Sequence, residues 1–136
     1  MSILESCAAV AIISTSMMIA VPTLLKARED YALNATAREI ASRMQSARIK
    51  AITRNRDCRF RVTSSVSYVV ECQSSPAAWL PDEIGVLRPG FIIAANATPR
   101  FLRRGNVSPA ATITVWNGNG RQGRVIVNIT GRVRVE

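Results

Sequence analysis

The chain has 136 residues, no histidine, and 18 lysines and arginines against nine acids, giving a formal charge of +9. That length leaves room for one small globular domain and an anchor, not for a multidomain machine. Without histidine a Ser-His triad is excluded, Cys7, Cys58 and Cys72 show no zinc spacing, and no acids pair for two-carboxylate hydrolysis, so neither an enzyme, a metal site nor a cofactor is expected.

Sixteen of the 18 basic residues are arginines, planar and permanently charged forks suited to phosphate or carboxylate. From Ile84 onward eight arginines stand against one acid, Glu136. This asymmetry points to an anionic partner.

Ser6 to Leu25 is a run of twenty residues without a charge, and at ~1.5 Å per residue it covers the ~30 Å of a bilayer core. The alternatives are a signal-peptide core, which fits poorly without a basic flank before it, and a buried helix of a soluble protein. Lys26 and Arg28 follow the run while no basic residue precedes it, which by the positive-inside rule would hold the basic remainder in the cytoplasm. A short basic leader, removed before Met1, is the expectation that resolves this conflict. Glu5 stands at the mouth of the apolar run. A carboxylate there needs a partner such as a free amino terminus, or else rests in the headgroup layer. Pro22 removes the backbone bond to Met18, which predicts a kink, a locally unwound segment or the end of the span.

Leu33, Ala37, Ile40, Met44, Ala47 and Ala51 then recur at spacings of 4, 3, 4, 3 and 4, one face of a helix. The apolar helix is therefore expected to continue in amphipathic form to about Arg54, a rod of roughly 80 Å at 1.5 Å per residue. The expected organisation is an anchor over 1–25 and a globular domain over 26–136, the latter made of an amphipathic helix over 26–54 and a sheet over 57–136.

From Cys58 the helical period gives way to alternation, and CRFRVT followed by VSYVVEC reads as a hairpin around Ser64-Ser65. Centring it on Ser65 pairs Cys58 with Cys72, Phe60 with Val70, Val62 with Tyr68 and Arg59 with Glu71. A Cys58–Cys72 disulfide is expected, contributing about 3 kcal/mol and requiring an oxidising compartment; the alternative is a pair of reduced core thiols. Cys7 reads as a small packing residue of the anchor. Pro76, Pro81 and Pro89 make 73–89 read as a loop interrupting the sheet. Further strands are expected at 90–95, 100–103, 111–116, 124–129 and 132–135, with a turn at Asn117-Gly118-Asn119-Gly120.

In the last strand Arg132 and Arg134 project to one face about 7 Å apart, with Val133 and Val135 on the other. Together with Arg121, Arg124, Arg103 and Arg104 they form a candidate basic patch for phosphates. The alternatives are scattered arginines for solubility and contacts to neighbouring subunits. With few aromatics, backbone contact is favoured over base stacking.

The opening SILE, the uncharged span, Glu5 and Pro22 resemble the amino terminus of type IV pilins and pseudopilins over roughly the first 50 residues. The resemblance implies a leader peptidase that cuts before Met1 and methylates the new amino group, with Met1 replacing the usual Phe. It also implies that Glu5 pairs with a neighbouring subunit's amino terminus, and that Pro22 kinks or melts the helix in a filament. The ending TGRVRVE, after GNGRQGRVIVNI, is similar to the end of FimT/GspH subunits, and Gly131, Arg132 and Arg134 match the GRxR pattern of FimT-like minor pilins associated with DNA uptake.

The fold so implied is α+β and type IV pilin-like. It has a long N-terminal helix, transmembrane in its first half and amphipathic in its second, packed on a small, mostly antiparallel β-sheet. The implied partners are other pilin subunits, the inner membrane before assembly, the processing enzyme and extracellular DNA. The implied location is the inner membrane with the domain in the periplasm, then a filament. A GspH-like pseudopilin of type II secretion and a main structural pilin without a DNA role are the alternatives.

Overall fold

The computed structural model describes residues 2–136, so the processing role expected of Met1 lies outside the described residues. Among the described residues a single helix, α1 (Ile3–Thr53), is followed by nine strands. The chain divides into two compact units, one ending at Ala32 and one over Leu33–Glu136.

From Ile3 the first unit is helix, and its described side chains are exposed nearly throughout, including Ile3, Met18 and Ile19. It belongs to a helix long and apolar enough to cross a membrane. Its hydroxyls do not interrupt that character. Ser14, Thr15, Ser16 and Thr23 donate to the carbonyls of Val10, Ala11, Ile12 and Ile19 one turn back, so each polar proton is satisfied without water. Helix also runs unbroken through Pro22, against the expectation of unwinding or termination. A proline removes one donor from the ladder, and the helix on both sides holds the turn closed.

In the second unit α1 buries Leu33, Thr36, Ala37, Ile40, Ala41, Met44, Ala47 and Ala51. This is the predicted stripe widened by two residues, and its four alanines let the strands approach closely. The helix ends in a left-handed cap. Asn55 has φ 50°, its N–H reaches the Ile52 carbonyl at 3.2 Å, and the Arg56 N–H reaches Ala51 at 3.1 Å. Those two bonds satisfy terminal carbonyls and reverse the chain.

The strands are β1 (Cys58–Ser64), β2 (Ser67–Ser75), β3 (Ala78–Val86), β4 (Phe91–Ala95), β5 (Arg100–Phe101), β6 (Val107–Ser108), β7 (Ala111–Asn117), β8 (Gln122–Val127) and β9 (Val133–Val135). They form two antiparallel sheets, a five-stranded one ordered β3-β2-β1-β5-β6 and a four-stranded one ordered β4-β7-β8-β9. Phe60, Val70 and Phe101 from the first, with Ile93, Ile113, Val115, Val125 and Val127 from the second, complete one core with the helical stripe. The β1–β2 register is the one the alternation predicts, and Cys58 is bonded to Cys72 within that core.

The expected loop over 73–89 is instead largely strand β3, paired along β2. Proline is tolerated where its missing donor faces no partner, and each proline here sits in such a place. β3 is an edge strand, Pro76 lies in the turn before it and Pro89 beyond it. Pro81 adjoins a bulge, because Val70 faces Glu83 while Glu71 faces Pro81, leaving Asp82 extra. Asp82 receives Lys50 Nζ at 2.6 Å and Arg54 Nη1 at 2.7 Å, which ties this edge to α1.

Three hairpin turns share one backbone form. In 102–106, 117–121 and 128–132 the first residue donates its N–H to the carbonyl of the fifth, and the fourth donates to the first. The fourth residue is Gly105, Gly120 or Gly131, with φ of 86°, 76° and 83°. This is the three-residue loop closed by a left-handed glycine.

Candidate nucleic-acid interface

Arginines divide into two populations according to what faces them. On β1, Arg59 Nε and Arg61 Nη2 reach the Glu71 carboxylate at 2.5 and 2.7 Å. On β5, Arg100 Nη2 reaches Asp57 at 2.6 Å. Arg43 pairs with Glu83 and Arg54 with Asp82. Burial pushes the Glu71 carboxyl up, yet the hydrogen bonds from Arg61 and Arg59 outweigh it and hold it below the usual range. Asp82 is held low by the hydrogen bonds from Lys50 and Arg54, against a smaller effect of burial. These arginines are spent within the domain.

The second population comes mostly from the last third of the chain. Among the described residues, Arg103, Arg104, Arg124, Arg132 and Arg134 form no ion pair, and all five are exposed. Strand alternation displays three of them together. On β8, Gly123, Val125 and Val127 are buried while Arg124 faces out. On β9, Val133 and Val135 pack on the core and Arg134 faces out opposite Ile126. Arg124 and Glu136 exchange two backbone bonds of 2.8 Å, so Arg134 lies diagonal to Arg124 on the same face. Arg132 enters this strand from the turn just before it.

Gly131 fixes that turn beside a second one. A methyl group on Gly131 would meet the Gly105 carbonyl oxygen at 2.2 Å and Arg48 Nε at 2.7 Å. Only hydrogen fits, quite apart from the positive φ. Arg48 Nε donates to the same Gly105 oxygen at 2.8 Å, and the Val107 N–H reaches the Ile129 carbonyl at 2.8 Å. The 102–106 turn, carrying Arg103 and Arg104, is thus locked against the 128–132 turn that precedes Arg132.

Arg121, also in the candidate patch, stands at its far edge. It lies in the turn at the opposite end of β8, a strand of six residues, three residues or about 10 Å from Arg124 and about 20 Å from the 128–132 turn that precedes Arg132. Arg48 is the residue that sequence reasoning missed. Arg48 and Arg132 line a groove of about 510 Å³ between α1 and the 128–132 turn. The available signal was its place beside Ala47 and Ala51 at the border of the buried stripe, where a long side chain can reach over the core.

At the amino end, Glu5 is exposed, and its Oε2 accepts the Ser2 N–H at 3.2 Å while Ser2 Oγ faces the Leu4 N–H at 3.4 Å. This is a reciprocal cap of the helix's first turn. Pro22 stands alone inside the helix.

Comparison with solved structures places this fold in a recognisable class. The chain is similar to the minor pseudopilin EpsH from the type 2 secretion system of Vibrio cholerae, with a TM-score of 0.67 and 15% identity over 76% of this chain and 95% of that one. It is likewise similar to the type IV minor pilin FimU of Pseudomonas aeruginosa, with a TM-score of 0.65 and 16% identity over 79% and 90% of the two chains. The fold is that of minor pilins and pseudopilins. The family described as Type II transport protein GspH matches residues 36–131, and the chain belongs to it. Comparison with curated proteins gives no match.

Proposed function

We propose that this chain is a membrane-anchored minor pilin of the FimT kind that binds extracellular DNA through backbone phosphates. Residues 1–25 anchor it in the inner membrane and later pack in a filament with other subunits, while the domain from 26 onward lies in the periplasm or on the filament. No catalytic step is proposed for it. The observation that carries the reading is the pair of unpaired arginines, Arg132 and Arg134, on an exposed strand face beside Arg124, with Arg103 and Arg104 on the adjoining turn. Guanidinium groups presented on a sheet face and engaged in no internal ion pair suit phosphate oxygens and carry no base readout.

The test is binding of the full-length protein, in detergent, to random-sequence duplex DNA across a salt series. Replacing Arg132 and Arg134 by Ala should weaken binding to every sequence and flatten the slope of log K against log salt by about two. Binding that is unchanged by the double replacement would remove these residues from the site.

The family match and the likeness to EpsH favour a second reading, a pseudopilin of type II secretion in which these arginines contact neighbouring subunits. Neighbouring genes separate the two, secretion components against pilus or competence components.

A further inference from the structure

Beyond the β8–β9 face, a second group of arginines surrounds a cleft where α1 ends. Arg56, Arg100 and Arg103 line it with Gln73, Ser74 and Ser75, enclosing about 310 Å³. Asp57 is its one acid and is already engaged. Buried at 5% exposure, it takes Arg100 Nε at 3.1 Å and Nη2 at 2.6 Å on one oxygen, and the Arg103 N–H at 3.1 Å on the other. Arg100 is further steadied 5.2 Å from the Trp79 ring centroid, which also has Arg59 at 4.3 Å. Its side chain remains 42% exposed. Arg56 follows directly on the left-handed Asn55 and forms no ion pair among the described residues. Three positive charges and one negative charge leave the cleft cationic, and with Arg100 engaged by Asp57 the two guanidinium groups in no ion pair are those of Arg56 and Arg103.

The cleft is also continuous with the face described above. Arg103 lines it, and Gly105, two residues on, abuts Gly131 and receives Arg48. One basic surface therefore runs from Arg134 and Arg132 over the 102–106 turn to Arg100 and Arg56. A duplex carries a phosphate charge every ~1.7 Å of its axis, so one polyanion can occupy both ends of such a surface.

We infer that this cleft is a second phosphate-binding subsite for the same nucleic acid, with Arg56 and Arg103 as its contacts and Arg100 held on Asp57 as part of its wall; the inference rests on the DNA-binding reading above. The experiment compares, in full-length protein, Arg56→Ala with Arg132→Ala/Arg134→Ala for duplex binding across salt. Arg103 is left in place because it also adjoins the first face, and Arg100 because it holds the buried Asp57. The cleft variant should lower the slope of log K against log salt by about one. Ser74→Glu, which adds an anion while leaving every arginine in place, should also weaken binding several-fold. If both cleft variants bind as the unmodified chain does while the Arg132/Arg134 variant fails, the subsite is overturned and the cleft is reassigned to subunit contacts. Absence of binding by the unmodified chain overturns both readings.

Discussion

The outer faces of the two sheets use the same side chain for opposite ends. On the five-stranded sheet Arg59, Arg61 and Arg100 are each matched to Glu71 or Asp57, and two of them lie against Trp79. On the four-stranded sheet Arg124, Arg132 and Arg134 form no ion pair among the described residues, and Glu136, paired across the strands with Arg124, is the one acid on their face. An arginine that reaches a buried carboxylate contributes to holding the domain together. One that does not is left for an outside anion. Net charge alone does not make this distinction, since it counts both kinds alike.

The comparison can be broken at either face. The largest stability effect within the first sheet should come from its disulfide. Cys58→Ala/Cys72→Ala should cost about 3 kcal/mol in denaturant unfolding under oxidising conditions, with DNA affinity unchanged below the unfolding transition. Asp57→Ala should cost about 2 kcal/mol by removing charge-assisted bonds to Arg100 and the Arg103 N–H.

Acid should act on the same sheet, at Glu71 on its outer face and at Asp82 on the edge bound to α1. The carboxyls of Glu71 and Asp82 are held below their ordinary values of 4.5 and 3.8 in the folded chain. Their contribution is therefore complete above those values and is lost as pH falls through the lower folded ones. Thermal melts should show stability declining below about pH 4.5. A melting profile flat through that range would show that these carboxylates do not contribute. The smallest stability change is expected for Arg132→Ala/Arg134→Ala, within about 0.5 kcal/mol, although this variant changes the salt slope of DNA binding. A larger loss of stability would mean that the second face also serves the fold.

Much of the frame is legible in the sequence because it follows from periodicity. The Leu33 to Ala51 stripe, the Cys58 to Cys72 register and the outward Arg134 each follow from a repeat of 3.6 or 2 residues. Strand β3 was hidden because its prolines read as breakers, while their compatibility depends on β3 being an edge strand with a bulge at Asp82. β6 has two residues, too few for any pattern to register. The contact of Gly131 with Gly105 joins residues far apart in the chain, so the glycine of the GRxR motif carried no sign of its neighbour. The same holds for Asp57, whose engagement with Arg100 separates a structural arginine from the unpaired ones around it.

The turn form shared by 102–106, 117–121 and 128–132 has a consequence for how such a surface changes over time. In each, the residue after the left-handed glycine is exposed, and it is Asn106, Arg121 or Arg132. A single substitution at any of these three positions can add or remove a cation without touching the core or the turn's own hydrogen bonds. Charge on this domain is therefore open to step-by-step adjustment, one hairpin tip at a time, while the fold that presents it stays constant.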